Sequence, residues 1–260
     1  MLGLALLACM PAMAACPSAG QDRAGLQALK SAGFVVTDAA GKQALAMGLV
    51  DCLGDPDPVL RDGIAYEALQ HWMRAGDFDA GFLRRLRDAL YARLDAPDQQ
   101  GVSRPFAALV LAEVARTDRI APWMSSAERD AMLARATGYL ASVQDYRGFE
   151  AGIGWRHGVA HGADWLLQLS LNPALDGAQL QRILDAVANA GFRAVAVDLP
   201  GYGATPERPT DDTDDGSGST ISDGTWLAGL IDELGGPAKV VVVSPSMSGR
   251  YSLDYLEQYA

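Results

Sequence analysis

Hydrophobic positions from residue 21 to about 188 recur every three to four residues, the period of an amphipathic α-helix. Ser125 followed by Glu128 fits a capping box, which marks a helix start. Only residues 34–36 suggest a short strand in this stretch. Short breaks between helices favour antiparallel neighbours, so we expect a mainly α, solenoid-like antiparallel array over residues 15–188. The predicted helices include residues 61–74, 82–94, 106–114, 126–143, 159–171 and 178–188.

The pattern changes after residue 188. Residues 191–198 and 239–243 are compact apolar runs typical of buried parallel strands, and residues 225–234 between them have a helical pattern. Residues 209–220 are polar and acidic, as in a surface loop. We therefore predict a second part over residues 189–260, a small, truncated α/β segment with βαβ order.

The N-terminal residues have the layout of an export signal. An apolar run over residues 2–10 is followed by Pro11 and by the small-residue pattern Ala-Met-Ala, so cleavage is expected after Ala14. The run is too short to cross a bilayer, which takes about 20 residues. No Lys or Arg precedes it, and a buried N-terminal helix or lipoprotein processing at Cys9 or Cys16 remain alternatives. We expect a periplasmic or secreted protein with a signal peptide over residues 1–14.

The cysteines also fit an exported protein. Cleavage would remove Cys9 and leave Cys16 and Cys52, the simplest pair for one disulfide in an exported protein. In the cytosol both would be free thiols, and nothing near either indicates a reactive thiolate.

Composition narrows the range of partners. The chain has 21 Lys and Arg against 32 Asp and Glu, a net charge of −11, so nucleic acid and anionic membranes are excluded as partners. Three histidines and three cysteines limit metal and triad chemistry. We expect no cofactor, no metal and no membrane span, and leave a small molecule or a protein as partner.

A cluster near residue 160 is the best candidate for a pocket. His157 and His161 lie four residues apart and would share one face of a helix, with Asp164 one turn later. Gly158 stands where a zinc protease would need a glutamate. We interpret the cluster first as structural, with Asp164 orienting a histidine, and keep a ligand pocket or a metal site as alternatives. The candidate pocket residues are Trp155, Arg156, His157, His161 and Asp164.

The same segment carries a family resemblance. GWRHGVAHGADWLLQLSLNP resembles the hallmark of a bacterial family known only as domain of unknown function 2785, and DGIAYEALQHW and RPFAALVLAEVARTD look like the same family. The resemblance covers about residues 21–188. It implies an all-α domain, often with a secretion signal, and no established activity.

The C-terminal part resembles another family. Ser246 lies in a small-x-Ser-x-small turn between a predicted strand and a helix, the arrangement of a nucleophile elbow. GFRAVAVDLPGYG, LIDELG and VVVVSPSMSGRYSL look like the α/β-hydrolases whose elbow reads S-x-S-x-S. By that resemblance Ser246 matches the nucleophile, and Met247 matches the residue whose backbone N–H helps to form the oxyanion hole.

The hydrolase triad is incomplete in this sequence. In this fold the order is Ser, then Asp or Glu, then His, but every histidine here (His71, His157 and His161) precedes Ser246. A serine without its base is a weak nucleophile, so we lean against enzymatic activity. We expect a secreted helical domain with a binding or structural role, fused to an inactive hydrolase segment. The alternative is a serine hydrolase acting on esters or acylated molecules.

Overall fold

The computed structural model describes Cys16, residues 21–189 and residues 223–236. The chain divides into two compact units, Met1–Arg193 and Ala194–Ala260. The described residues are mainly helical, and this confirms the predicted fold class. The first unit contains α1 (Arg23–Ser31), α2 (Ala39–Cys52), α3 (Pro58–Leu60), the π-helix π1 (Arg61–Tyr66), α4 (Glu67–Ala75), α5 (Ala80–Asp95), α6 (Ser103–Ile120), α7 (Ser126–Ser142), β1 (Phe149–Glu150), β2 (Gly154–Trp155), α8 (Gly158–Ser170) and α9 (Gly177–Asn189).

Short polar side chains fix the starts of several helices. Aspartates precede α1, α2, α3 and α5, and each accepts a hydrogen bond from a backbone N–H in the first turn. These bonds satisfy donors that have no partner within the helix. The predicted capping box is confirmed, because Ser125 and Glu128 each accept a bond from the other's backbone at the start of α7.

Helix α6 forms the centre of the first unit. Twelve of its 18 residues are buried, many of them alanine or another small residue that lets neighbouring helices approach. Its most extensive packing is against α8, with further contacts to α5 and α4, while α7 packs against α8 and α9. The N-terminus of α6 lies beside α8, where His161 bonds to Pro105. The candidate residues fall in this region.

The structure departs from the sequence predictions at three places. Residues 34–36 form a turn and a loop rather than a strand, and Phe34 has a φ of +59°. The helix predicted over residues 61–74 begins as π1, a widened turn of a kind found often at functional sites. The two-residue strands β1 and β2 were not predicted; they pair antiparallel, with Phe149 opposite Trp155.

In the second unit, α10 (Asp223–Glu233) lies where residues 225–234 predicted a helix, and it buries Leu227 and Ile231. The predicted strands and loop of residues 189–260 otherwise lie outside the described residues, as do residues 1–14, Ser246 and Met247. Within the described ranges, no helix is both long and apolar enough to cross a membrane.

Candidate functional site

A disulfide joins Cys16 to Cys52, the last residue of α2. The bond closes a loop with a sequence separation of 36 residues, and that loop contains α1 and α2. Cys52 is fully buried in the core. The pair considered from the sequence is therefore bonded in this structure.

Three of the candidate pocket residues form an aromatic stack at the start of α8. His157 precedes the helix with a φ of +51°, in the left-handed region that only a few residue types adopt readily. Its ring lies parallel to that of Trp155, with centroids 4.3 Å apart, and 5.7 Å from the ring of His161. Trp155 is 48% exposed, so the stack runs from the surface toward the core.

His161 is the buried end of this stack. Its Nδ1 lies 3.1 Å from the carbonyl oxygen of Pro105; because a carbonyl only accepts, Nδ1 carries the proton. The ring of Phe106 lies edge-on at 5.1 Å, and the guanidinium of Arg61 covers that same Phe106 ring. Burial above all, with the nearby His157 and Arg61, lowers the pKa of His161 to about 3. His161 is therefore neutral and anchors α8 to the first turn of α6.

Asp164 lies one turn farther along α8 and does not orient a histidine, so that prediction is wrong. It makes no hydrogen bond with His157 or His161, and the Pro105 carbonyl takes that role. Burial first, and then the charge of Glu113, raise the pKa of Asp164 to about 6. Among the described residues, no three His, Cys, Asp or Glu side chains are placed to hold a metal ion.

Arg61, fully buried in π1, holds the hairpin of β1 and β2 in place. Its Nη2 donates to the carbonyl oxygen of Ile153 at 2.7 Å and its Nη1 to that of Asp55 at 3.1 Å. Gly154 allows this approach, because it has a φ of +84° and a Cβ there would lie 3.2 Å from Nη2. Arg61 thus holds the turn of the hairpin in place.

Arg156, directly after β2, lines a cavity of about 280 Å³. The cavity lies between the first turn of α6, the last turn of α7 and the chain leading to the hairpin. Arg156 is only 5% exposed, and the charged residues that share the cavity wall come from three separate segments. They are Asp98, Arg104, Asp145 and Arg147.

Hydrogen bonds hold most of these charged groups in fixed positions. Asp98 accepts bonds from the backbone N–H groups of Gly101, Val102 and Arg104. Arg147 donates from Nε and Nη2 to the two carboxylate oxygens of Asp145, at 2.8 and 2.7 Å. Because Arg147 neutralises it, the pKa of Asp145 falls to about 2. The cavity wall is therefore polar, and most of its charged groups already have partners within the protein.

The structure separates the five candidate residues. Arg156 is the only one of them that lines this cavity; Trp155, His157 and His161 form the stack, and Asp164 lies near Glu113. Sequence reasoning missed Asp98 and Arg104, which lie far from residue 156 along the chain. Arg147 stands eight residues before Trp155, and nothing in the sequence marked it as part of a pocket.

A family described as "Protein of unknown function (DUF2785)" matches residues 90–193. This range contains α6 to α9, the hairpin and nearly all of the cavity wall. The match supports the resemblance noted from the sequence for this part of the chain and attaches no activity to it.

Curated relatives are similar to a short part of this chain. The "Putative protein-lysine deacylase ABHD14B" of Pongo abelii and that of Homo sapiens are each 44% identical over 75 residues, which cover 28% of this chain and 32% of theirs. "Protein ABHD14A" of Danio rerio is 36% identical over 77 residues, 30% of this chain and 26% of its own. The chain thus spans about a third of these relatives, a partial likeness to an α/β-hydrolase. No solved structure matches it.

Proposed function

We propose that the helical unit is a binding module and that the cavity at Arg156 is its binding site. The observation that carries this proposal is a cavity of about 280 Å³ with a buried arginine in its wall. Its volume is near the lower end of small-molecule sites, which suits a compact polar ligand. Asp145 is already held by Arg147, and Arg156 by Glu150, so a ligand loses little affinity in ordering these side chains.

Gly101 provides a test, because a side chain there would enter the site. The residue has a φ of +70°, and an added Cβ would lie 2.8 Å from Asp145 Oδ2 and 3.2 Å from Arg156 Nη1. We expect Gly101→Ala to abolish the binding of fragments that shift the amide resonances of Gly101 and Gly158 in the full chain. The measurement is NMR titration with a library of neutral, anionic and cationic fragments.

Gly76→Ala is the matched control. Gly76 has nearly the same φ, +75°, but its Cβ would meet nothing within 4 Å. Gly76→Ala should lose about 1 kcal/mol of stability from the left-handed backbone, and Gly101→Ala at least as much because its Cβ also displaces Asp145; only Gly101→Ala should lose binding. Fragments that bind Gly101→Ala as tightly as the unmodified chain, or that shift amides elsewhere, would exclude this cavity as the site.

We also propose that the protein is exported to the periplasm or beyond. Two features support this: the apolar N-terminal run with its small-residue cleavage pattern, and the Cys16–Cys52 disulfide. Disulfides of this structural kind persist in oxidising compartments and are rare in the cytosol.

The second candidate function is hydrolysis of esters or acylated molecules by a serine nucleophile in the C-terminal part of the chain. The partial likeness to proteins named as putative protein-lysine deacylases favours it, and the elbow motif points to Ser246. Fluorophosphonate labelling of the full chain tests it, with Ser246→Ala and the neighbouring Ser248→Ala as a matched pair. Labelling that Ser246→Ala removes and Ser248→Ala retains would establish the hydrolase; no labelling would reject it.

A further inference from the structure

Two arginine nitrogens in residues that line the cavity have no hydrogen-bond partner. Nη1 of Arg156 and Nε of Arg104 are both buried and unpaired, whereas buried donors are almost always satisfied in folded proteins. Arg156 uses its other edge fully, since Nε and Nη2 donate to Glu150 at 3.0 and 2.8 Å. The unpaired nitrogens are therefore what remains after the intramolecular partners have been used.

Nη1 of Arg156 is directed at the loop around Gly101. The place where a Cβ of Gly101 would stand is 3.2 Å from this nitrogen and 3.6 Å from Nη2 of Arg147. Donors of two arginines thus converge beside a residue without a side chain. Asp145 Oδ2 lies 2.8 Å from the same Cβ position, but Arg147 already donates to that carboxylate.

Among the arginines around the cavity, Arg104 differs in how its guanidinium is used. Asp98 is bound by the backbone at the start of α6, Asp145 by Arg147, and Glu150 by Arg156. Arg104 has no carboxylate partner among the described residues, and its Nη2 only donates to the hydroxyl of Ser142, at 3.3 Å. Its guanidinium therefore keeps donors that no carboxylate of the described residues uses.

We propose that the ligand's recognised group is an oxyanion, a carboxylate or a phosphate. This rests on the proposed binding role of the cavity. An oxyanion offers only acceptors, and its negative charge strengthens each bond from a guanidinium, so it suits the unpaired nitrogens of Arg156 and Arg104. A neutral acceptor would pair these donors more weakly, and an ammonium group would bring donors where acceptors are needed.

The experiment titrates the full chain with sodium acetate and with inorganic phosphate, against sodium chloride at matched ionic strength. We expect saturable shifts of the Gly101 and Arg104 amides with at least one oxyanion and none with chloride. Tighter binding of acetate would identify a carboxylate ligand, and tighter binding of phosphate a phosphate ligand. Arg104→Gln should weaken that binding about tenfold or more, because it removes a charged donor.

Two further variants keep the result interpretable. Arg182→Gln is the control, since Arg182 is a half-exposed partner of Asp130 near the other end of α7, and binding should be unchanged. Arg156→Lys keeps the charge but loses Nη1, and should also weaken binding. Equal affinity of Arg104→Gln and the unmodified chain would overturn the oxyanion assignment. If neutral fragments bind at Gly101 and neither oxyanion does, the assignment fails while the binding module stands; if nothing binds there, both fail.

Discussion

A chain in which Cys16 is replaced by serine is expected to unfold with a free energy about 4 kcal/mol lower than the disulfide-bonded protein. The bond closes a loop with a separation of 36 residues, and a crosslink of that length removes much conformational freedom from the unfolded chain. The change at Cys16 is preferable to one at Cys52, because Cys52 is fully buried and a serine there would add an unpaired hydroxyl.

The measurement is urea denaturation followed by circular dichroism, in a Cys9→Ser background so that the freed Cys52 cannot pair with Cys9. Cys9→Ser alone is the control and should match the unmodified chain. Reductant should lower the stability of the control to that of the Cys16 variant. Thiol counting on protein isolated from its native cells tests the proposed export, which two free thiols at Cys16 and Cys52 would contradict.

Periodicity was a reliable guide to helices that bury one apolar face. The repeat at Ile64, Ala68, Leu69 and Trp72 marks residues that are all fully buried. The start of α7 was predictable from two side chains, since a capping box is a local contact between residues three apart. Helix α10 was predicted from the helical pattern of residues 225–234.

The cavity could not be predicted in this way. Arg104 and Arg156 lie on one wall only because α6 packs against α8 and the hairpin returns to the same place. Arg61 acts through the backbone carbonyls of Ile153 and Asp55, and a carbonyl has no signature in the sequence. For the same reason Asp164 was the natural partner to choose for His161 from spacing alone, whereas the actual partner is the carbonyl of Pro105.

As the pH falls, His161 and Asp164 are expected to change the stability of the fold in opposite directions. The folded-state pKa of His161, about 3, lies below its ordinary 6.5, so between these values only the unfolded chain takes up the proton and stability falls as the pH falls. The folded-state pKa of Asp164, about 6, lies above its ordinary 3.8, so in that window the folded protein takes up the proton and stability rises. The two contributions largely cancel between about pH 6 and 4.

Single variants at His161 and Asp164 separate the two contributions to stability. Relative to the unmodified chain, His161→Asn should gain about 1.4 kcal/mol per pH unit as the pH falls from 6.5 to 4.5, since it lacks the penalty and keeps an N–H near Pro105. Asp164→Asn should be more stable at pH 7 and lose that advantage below pH 6, by a smaller amount because Asp164 is partly solvated. Urea denaturation at each pH gives both differences, and groups common to all three chains cancel. Parallel curves for His161→Asn and the unmodified chain would mean that His161 protonates in the folded state, and that its bond to Pro105 does not hold it neutral.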